Sequence, residues 1–165
     1  LLAQLVSPAA KPDGIHVSRR GDLEIVLART FAAPRETVFE ALTQPRHLLR
    51  WMGPGTFRLV DCEVDLRAGG SFRYGFERPS GARIEVRGAY ASVEPPRGYA
   101  YTESYDFSPL RVSVQTTLER AGDETRFEQT LTYASRRERD ADFEGVAASS
   151  REAYASLERY LASAR

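Results

Sequence analysis

Two polar residues stand where an apolar wall is expected. In GYAYTESYDF the alternate residues Tyr99, Tyr101, Glu103, Tyr105 and Phe107 share one face of a strand, so a single carboxylate sits in a row of aromatic rings. In RFEQTLTY the alternation of Phe127, Gln129, Leu131 and Tyr133 puts one amide among apolar neighbours. Burying either group without a partner is costly, so each calls for a ligand, a water or a neighbouring tyrosine hydroxyl. A carboxyl group beside tyrosines could also exchange protons with a bound carbonyl compound, through Glu103, Tyr101 or Tyr105. The structural alternative for Glu103 is a strand bulge that turns it outward, or an arginine at the rim.

The other reactive side chains are sparse. Cys62 falls on an inward strand face, where a lone cysteine acts as a small hydrophobe, and no histidine pairs with it. His16 and His47 are far apart, too little with one cysteine for a zinc site. Asp65 and Arg67 precede Gly69 and Gly70 and read as a structural salt bridge. DLRAGG joins two strands and does not enter a helix, so it is not a phosphate loop, and neither a paired CxxC nor HExxH occurs. No catalytic set, metal or cofactor is expected from these residues. Trp51 closes a short helical piece and is expected over a cavity mouth, its ring stacking on a ligand and its nitrogen donating to it, or packing only as a lid.

The elements that must position these residues follow from the apolar period. Leu23 to Thr30 reads as a first strand, and AAPRETVFEALTQPRHLLRWM as two short helices, with Pro34 at a first turn and Val38, Phe39 and Leu42 on one face. From Phe57 the period becomes two: Val60, Cys62, Val64 and Leu66 are expected dry, then Phe72, Tyr74 and Phe76, then Ile84, Val86 and Tyr90. The tyrosine row follows, then Val112, Val114, Thr116 and Leu118, then the strand of Phe127 and Gln129. At the end Phe143, Val146, Ala147, Ser150, Ala153, Tyr154, Leu157, Tyr160 and Leu161 recur at helical spacing. The expected class is α+β: a curved antiparallel sheet, made of a first strand, two short helices and six further strands, wrapped around a long C-terminal helix.

A curved sheet and a straight helix meet along a seam, which leaves a gap unless large side chains fill it. The sheet offers aromatics and the helix offers small residues opposite them, an arrangement equally suited to a cavity and to close packing. The candidate lining from the sheet is Cys62, Phe76, Tyr101, Glu103, Tyr105, Phe127 and Gln129. From the helices it is Phe39, Trp51, Phe143, Val146 and Ser150.

Length and charge narrow the function classes. The 165 residues suit one domain, with residues 1–22 as an arm and 23–162 as the folded unit. Lys plus Arg equal Asp plus Glu at 23 each, which removes the positive field that nucleic-acid binding requires. A net charge near zero also leaves little repulsion between copies, so a homodimer is compatible with the composition. One cysteine makes no internal disulfide and points to a reducing cytoplasm, and no apolar run is long enough to span a membrane.

Three stretches carry a family resemblance. FAAPRETVFEALTQPRHLLRWMGP supplies Pro34, Val38, Phe39, Ala41, Leu42 and Trp51; CEVDLRAGGSFRYGF supplies Asp65, Arg67, Gly69, Gly70 and Phe72; RIEVRGAYASVEPPRGYAYT and the late hairpin complete the series. In this order, over about residues 23–162, they resemble the START-like, polyketide-cyclase and birch-allergen-like superfamily. The branch they resemble includes the C-terminal domain of the activator of the heat-shock-protein-90 ATPase. The resemblance implies a helix-grip fold with a hydrophobic cavity. It implies no chaperone partner, because the cochaperone behind that title has an additional N-terminal domain that does not fit into the first 22 residues. Ser149 and Ser150 stand where the family often has a Gly-Trp pair.

The leading expectation is a binding protein for a small lipid-like or aromatic molecule. The alternatives are a cyclase, dehydratase or hydrolase acting on a hydrophobic carbonyl compound, and a protein-interaction or stress-response module. A continuous apolar cavity favours the first, a wet Glu103 beside a tyrosine near that cavity the second, and a collapsed interior with an exposed apolar face the third.

Overall fold

The alternating runs become strands, and one strand more precedes them. In a computed structural model, which describes residues 14–53 and 56–164, the chain begins with β1 (His16–Arg20) and β2 (Glu24–Phe31), followed by α1 (Arg35–Thr43) and α2 (Pro45–Trp51). Then come β3 (Arg58–Val64), β4 (Ser71–Glu77), β5 (Arg83–Glu94), β6 (Gly98–Tyr105), β7 (Ser108–Ala121), β8 (Glu124–Thr132) and α3 (Arg136–Ser163). All eight strands form one antiparallel sheet in the order β1-β2-β8-β7-β6-β5-β4-β3. The expected class is adopted. Because β2 pairs with β8 while β3 is the far edge, α1 and α2 must carry the chain from one side of the sheet to the other.

The added strand lies in the segment assigned to the arm; residues 1–13 of that segment, with Pro8 and Pro12, lie outside the described residues. His16–Arg20 pairs with β2 across a turn at Gly21, whose φ of +55° suits glycine. β1 is a sheet edge with both its arginines exposed, so it has no dry face to leave a period-two signature. Its apolar contacts are Ile15 and Val17.

Three irregularities curl the sheet around its inner face. In β3 a bulge lets Leu59 oppose Phe76 while Asp61 opposes Gly75 and Cys62 opposes Tyr74. The extra residue puts Leu59, not Val60, in the core at 2% exposure, which corrects the expected alternation on that strand. Register shifts also occur between Tyr90 and Ser92 in β5 and between Ser104 and Tyr105 in β6. Gly88 supports the same bend: it lies in register between Phe72 and Glu103, and any side chain there would run into the Phe72 ring.

α3 crosses the concave side. Its first turn is capped by Ser135, whose Oγ accepts from the Glu138 amide at 3.2 Å. Arg139 is buried and donates from Nη1 to the carbonyls of Gly21 (3.0 Å) and Glu24 (3.2 Å), tying the helix start to the β1–β2 turn. Further along, Arg29 of β2 pairs with Glu158. Leu157 and Leu161 bury against the sheet, and α1 packs on β7, β8 and α3.

Two glycines should respond oppositely to the same substitution. Gly145 lies inside α3 with open space where a side chain would begin, so Gly145→Ala should add about 0.5–1 kcal/mol through helix propensity. Gly88→Ala should cost about 1–3 kcal/mol by displacing the Phe72 ring. Urea unfolding of both variants reads the two signs.

Candidate functional site

Between the inner face of β4–β8 and α3 lies a cavity of about 380 Å³. β4 contributes Phe72, Tyr74 and Phe76, β5 contributes Val86 and Tyr90, and β6 contributes Tyr99, Tyr101, Glu103 and Tyr105. Opposite them α3 presents Asp142, Gly145, Val146, Ser149, Ser150 and Tyr154, while Trp51 and Met52 close one end. Phe107, Ser108 and Leu110 of the β6–β7 hairpin form the rim, where Phe107 is 58% exposed.

The rings remain at the walls because they brace one another. Phe72 stacks on Tyr74 at 4.4 Å and meets Tyr101 edge-on at 5.0 Å, and Tyr99 stacks on Tyr101 at 6.0 Å. Such contacts satisfy ring surface laterally along the sheet. The residues facing them from α3 at Gly145, Val146, Ser149 and Ser150 are too short to cross the gap.

The polar groups fall into two kinds. Gln129 is buried and satisfied by the protein, its Nε2 donating to Thr116 Oγ1 at 2.9 Å and its Oε1 accepting from the Tyr154 hydroxyl at 3.1 Å. The Tyr154 hydroxyl is one of the partners expected for it. Glu103 points into the cavity between Tyr101 and Tyr105, so no bulge turns it outward and no arginine lines the space beside it. Burial pushes its carboxyl up to about 7, the hydroxyls of Tyr105 and Tyr101 oppose that rise, and the charge of Asp142 adds to it. Burial likewise raises the phenols of Tyr74, Tyr99, Tyr101 and Tyr154, which stay protonated. Asp142 accepts from the Tyr133 hydroxyl at 2.6 Å.

Eight of the residues expected at the lining meet there: Trp51, Phe76, Tyr101, Glu103, Tyr105, Gln129, Val146 and Ser150. Four do not. Phe39 lies behind the wall, edge-on to Tyr99 at 6.0 Å. Cys62 stands on β3, beyond Tyr74 in register, and burial pushes its thiol up to about 11, in keeping with an unreactive packing group. Phe127 is 1% exposed, enclosed by Phe31 and Tyr154. Phe143 turns toward β1, where the Arg19 guanidinium lies 3.7 Å over its ring. Trp51 lines the cavity, yet its Nε1 already donates to the Ala41 carbonyl at 2.8 Å, which leaves the ring face as its contribution.

Asp142 is a charged lining residue outside the candidate set read from the sequence. It stands at the i, i+4, i+8 spacing with Val146 and Ser150, so the stripe that identified those two extends to it. Elsewhere, Asp65 and Arg67 form the expected salt bridge at 3.0 Å. His47 Nδ1 hydrogen-bonds the Tyr160 hydroxyl at 2.6 Å, and among the described residues no group of three or more metal-ligating side chains converges.

Comparison with known proteins agrees with this architecture. A crystal structure of a Rhodobacter sphaeroides protein is similar at 26% identity, covering 91% of this chain and 99% of that one with a TM-score of 0.86. A Nitrosomonas europaea protein (22% identity, 90% and 99% covered, TM-score 0.81) and a Mycobacterium smegmatis protein (22%, 92% and 99%, 0.79) share the fold. No curated protein matches. Residues 32–162 match the family described as "Activator of Hsp90 ATPase homolog 1-like protein", a span that covers both short helices, β3 to β8 and nearly all of α3. The chain belongs to that family of activator of Hsp90 ATPase homolog 1-like proteins.

Proposed function

We propose that this protein binds a small, largely apolar molecule between its sheet and α3, and that holding the ligand is its function. The observation that carries this reading is the aromatic cavity of about 380 Å³, a size within the usual range of small-molecule sites. Its rings are fixed by contact with one another, so the site is pre-formed and binding requires little ordering. Among the described residues the exposed large apolar side chains Leu23, Leu49 and Phe107 sit at three separate places, which does not favour a protein-docking face as the main function. No helix among the described residues is long and apolar enough to cross a membrane. The free Cys62 supports a reducing cytoplasm as the place of action.

A second reading rests on Glu103, Tyr101 and Tyr105. A carboxyl held at about 7 beside phenols is poised to move a proton to or from a bound carbonyl compound. If the protein turns over such a substrate, Glu103→Gln should lower the rate far more than the affinity; equal effects on both, or none, would leave binding as the function.

Native mass spectrometry of gently purified protein, followed by extraction, should recover a bound organic molecule. Replacing Gly145 with phenylalanine should block the mouth and lower the affinity for a naphthalene-sized probe by about tenfold or more, while the thermal midpoint holds. Unchanged affinity in calorimetry would move the ligand elsewhere.

Burial of Glu103 also makes stability depend on pH. Glu103 titrates at about 7 folded and near 4.5 unfolded, so between those values the folded state holds the extra proton. Its contribution to stability is therefore present below about pH 4.5 and lost as pH rises through about 7. Glu103→Gln should be more stable than the parent by about 1–3 kcal/mol at pH 8 and nearly equal to it at pH 4.5. Urea midpoints at both pH values check the sign.

A further inference from the structure

We infer that the ligand is a cation, an aromatic or aliphatic amine whose ammonium group rests between Glu103 and the surrounding rings. The inference depends on the binding reading above and deepens it. Among the described residues the lining carries two carboxylates, Glu103 and Asp142, and no lysine, arginine or histidine. Glu103 faces Tyr101, Tyr105 and Tyr99 on its own strand, Tyr74 from β4, Tyr133 after β8, and Tyr154 and Asp142 from α3. Its neighbours in register on β5 and β7, Gly88 and Val112, are uncharged. Above about pH 7 an anionic ligand such as a fatty acid would therefore enter against two negative groups with no counter-ion among the described lining residues. A neutral ligand would leave the carboxyl charge uncompensated, and a cation would offset it.

The walls suit the same headgroup. Phe72, Tyr74, Tyr99, Tyr101 and Tyr105 crowd around this end of the site, and aromatic faces attract ammonium groups most strongly where water is excluded. The entrance has the matching sign: the recess beside Ser108 and Leu110 at the rim is flanked by Glu138 and Asp142. A carboxylate at a cavity mouth raises the local concentration of cations. The apolar remainder, from Trp51 and Met52 to Leu27 and Leu131, takes the ligand's body.

An isosteric trio separates charge from shape. Calorimetry at pH 8 with naphthylethylamine, naphthylethanol and naphthylacetate should give an amine about tenfold or more tighter than the alcohol, and an acetate weaker than both. Glu103→Gln should bring the amine to the alcohol's affinity and leave the alcohol unchanged. In the parent protein, amine affinity should fall by about tenfold per pH unit below 7 as Glu103 takes up its proton. Equal affinity for amine and alcohol, or preferred binding of the acetate, overturns the cationic ligand while cavity binding stands. Failure of all three, together with their phenyl and biphenyl analogues, overturns both readings. If Glu103→Gln does not fold, Asp142→Asn and the pH series decide: an amine preference that neither one reduces overturns the inference.

Discussion

The interior depends on a mismatch between a bent surface and a straight rod. Irregularities in β3, in β5 and on the β7 side of the β6–β7 pairing bend the sheet toward its inner face, and α3 reaches that face along one line. Where the line of contact runs, packing is complete: Ile25, Phe31, Val38, Phe127 and Leu157 are essentially inaccessible. Away from it, over β4 to β6, the sheet recedes faster than side chains on α3 can follow. The interior thus has a filled part around Phe31 and Phe127, and an open part over β4 to β6 that reaches Leu27, Gln129 and Leu131.

The open half persists because its walls hold themselves. A gap lined by aliphatic side chains could shrink by rotamer changes, whereas Phe72, Tyr74, Tyr99 and Tyr101 are already in contact ring to ring, so moving one inward would forfeit those contacts. Gly88 is essential to this arrangement, since it lets the Phe72 ring lie over the β5 backbone. The same rings exclude enough water to raise the Glu103 carboxyl to about 7. Shape and electrostatics in the site therefore have a common origin in the stacked wall.

Most of this was legible from the period of the chain. The inner faces of β6, β7 and β8 follow strict alternation, and so the placement of Glu103 and Gln129 among apolar neighbours could be read directly. What escaped has physical causes. β1 is a polar edge without a dry face, and the β3 bulge shifts the inward register by one residue, a change that alternation alone cannot reveal. Phe39, Phe127 and Phe143 share faces with lining residues but stop short of the cavity, because period fixes the side of an element and not the distance to a void. Asp142 gives no such signal, because a carboxylate in an amphipathic helix reads as part of its wet face.

The division of the interior also divides the labour along α3. Its attachment comes from Arg139 on the Gly21 and Glu24 carbonyls near the start, and from Leu157, Glu158 with Arg29, and Leu161 toward the end. Between these anchors, Gly145, Val146, Ser149 and Ser150 contribute little bulk to the interior, so the middle of the helix can be a cavity wall without loosening the ends. The serines at 149 and 150, where the family resemblance places a glycine and a tryptophan, keep that wall short where a large ring would project into the same space. The size of the cavity is thus set chiefly by the helix, and the chemistry of its lining chiefly by the sheet. Changes on α3 should select ligands by bulk, and changes around Glu103 should select them by charge.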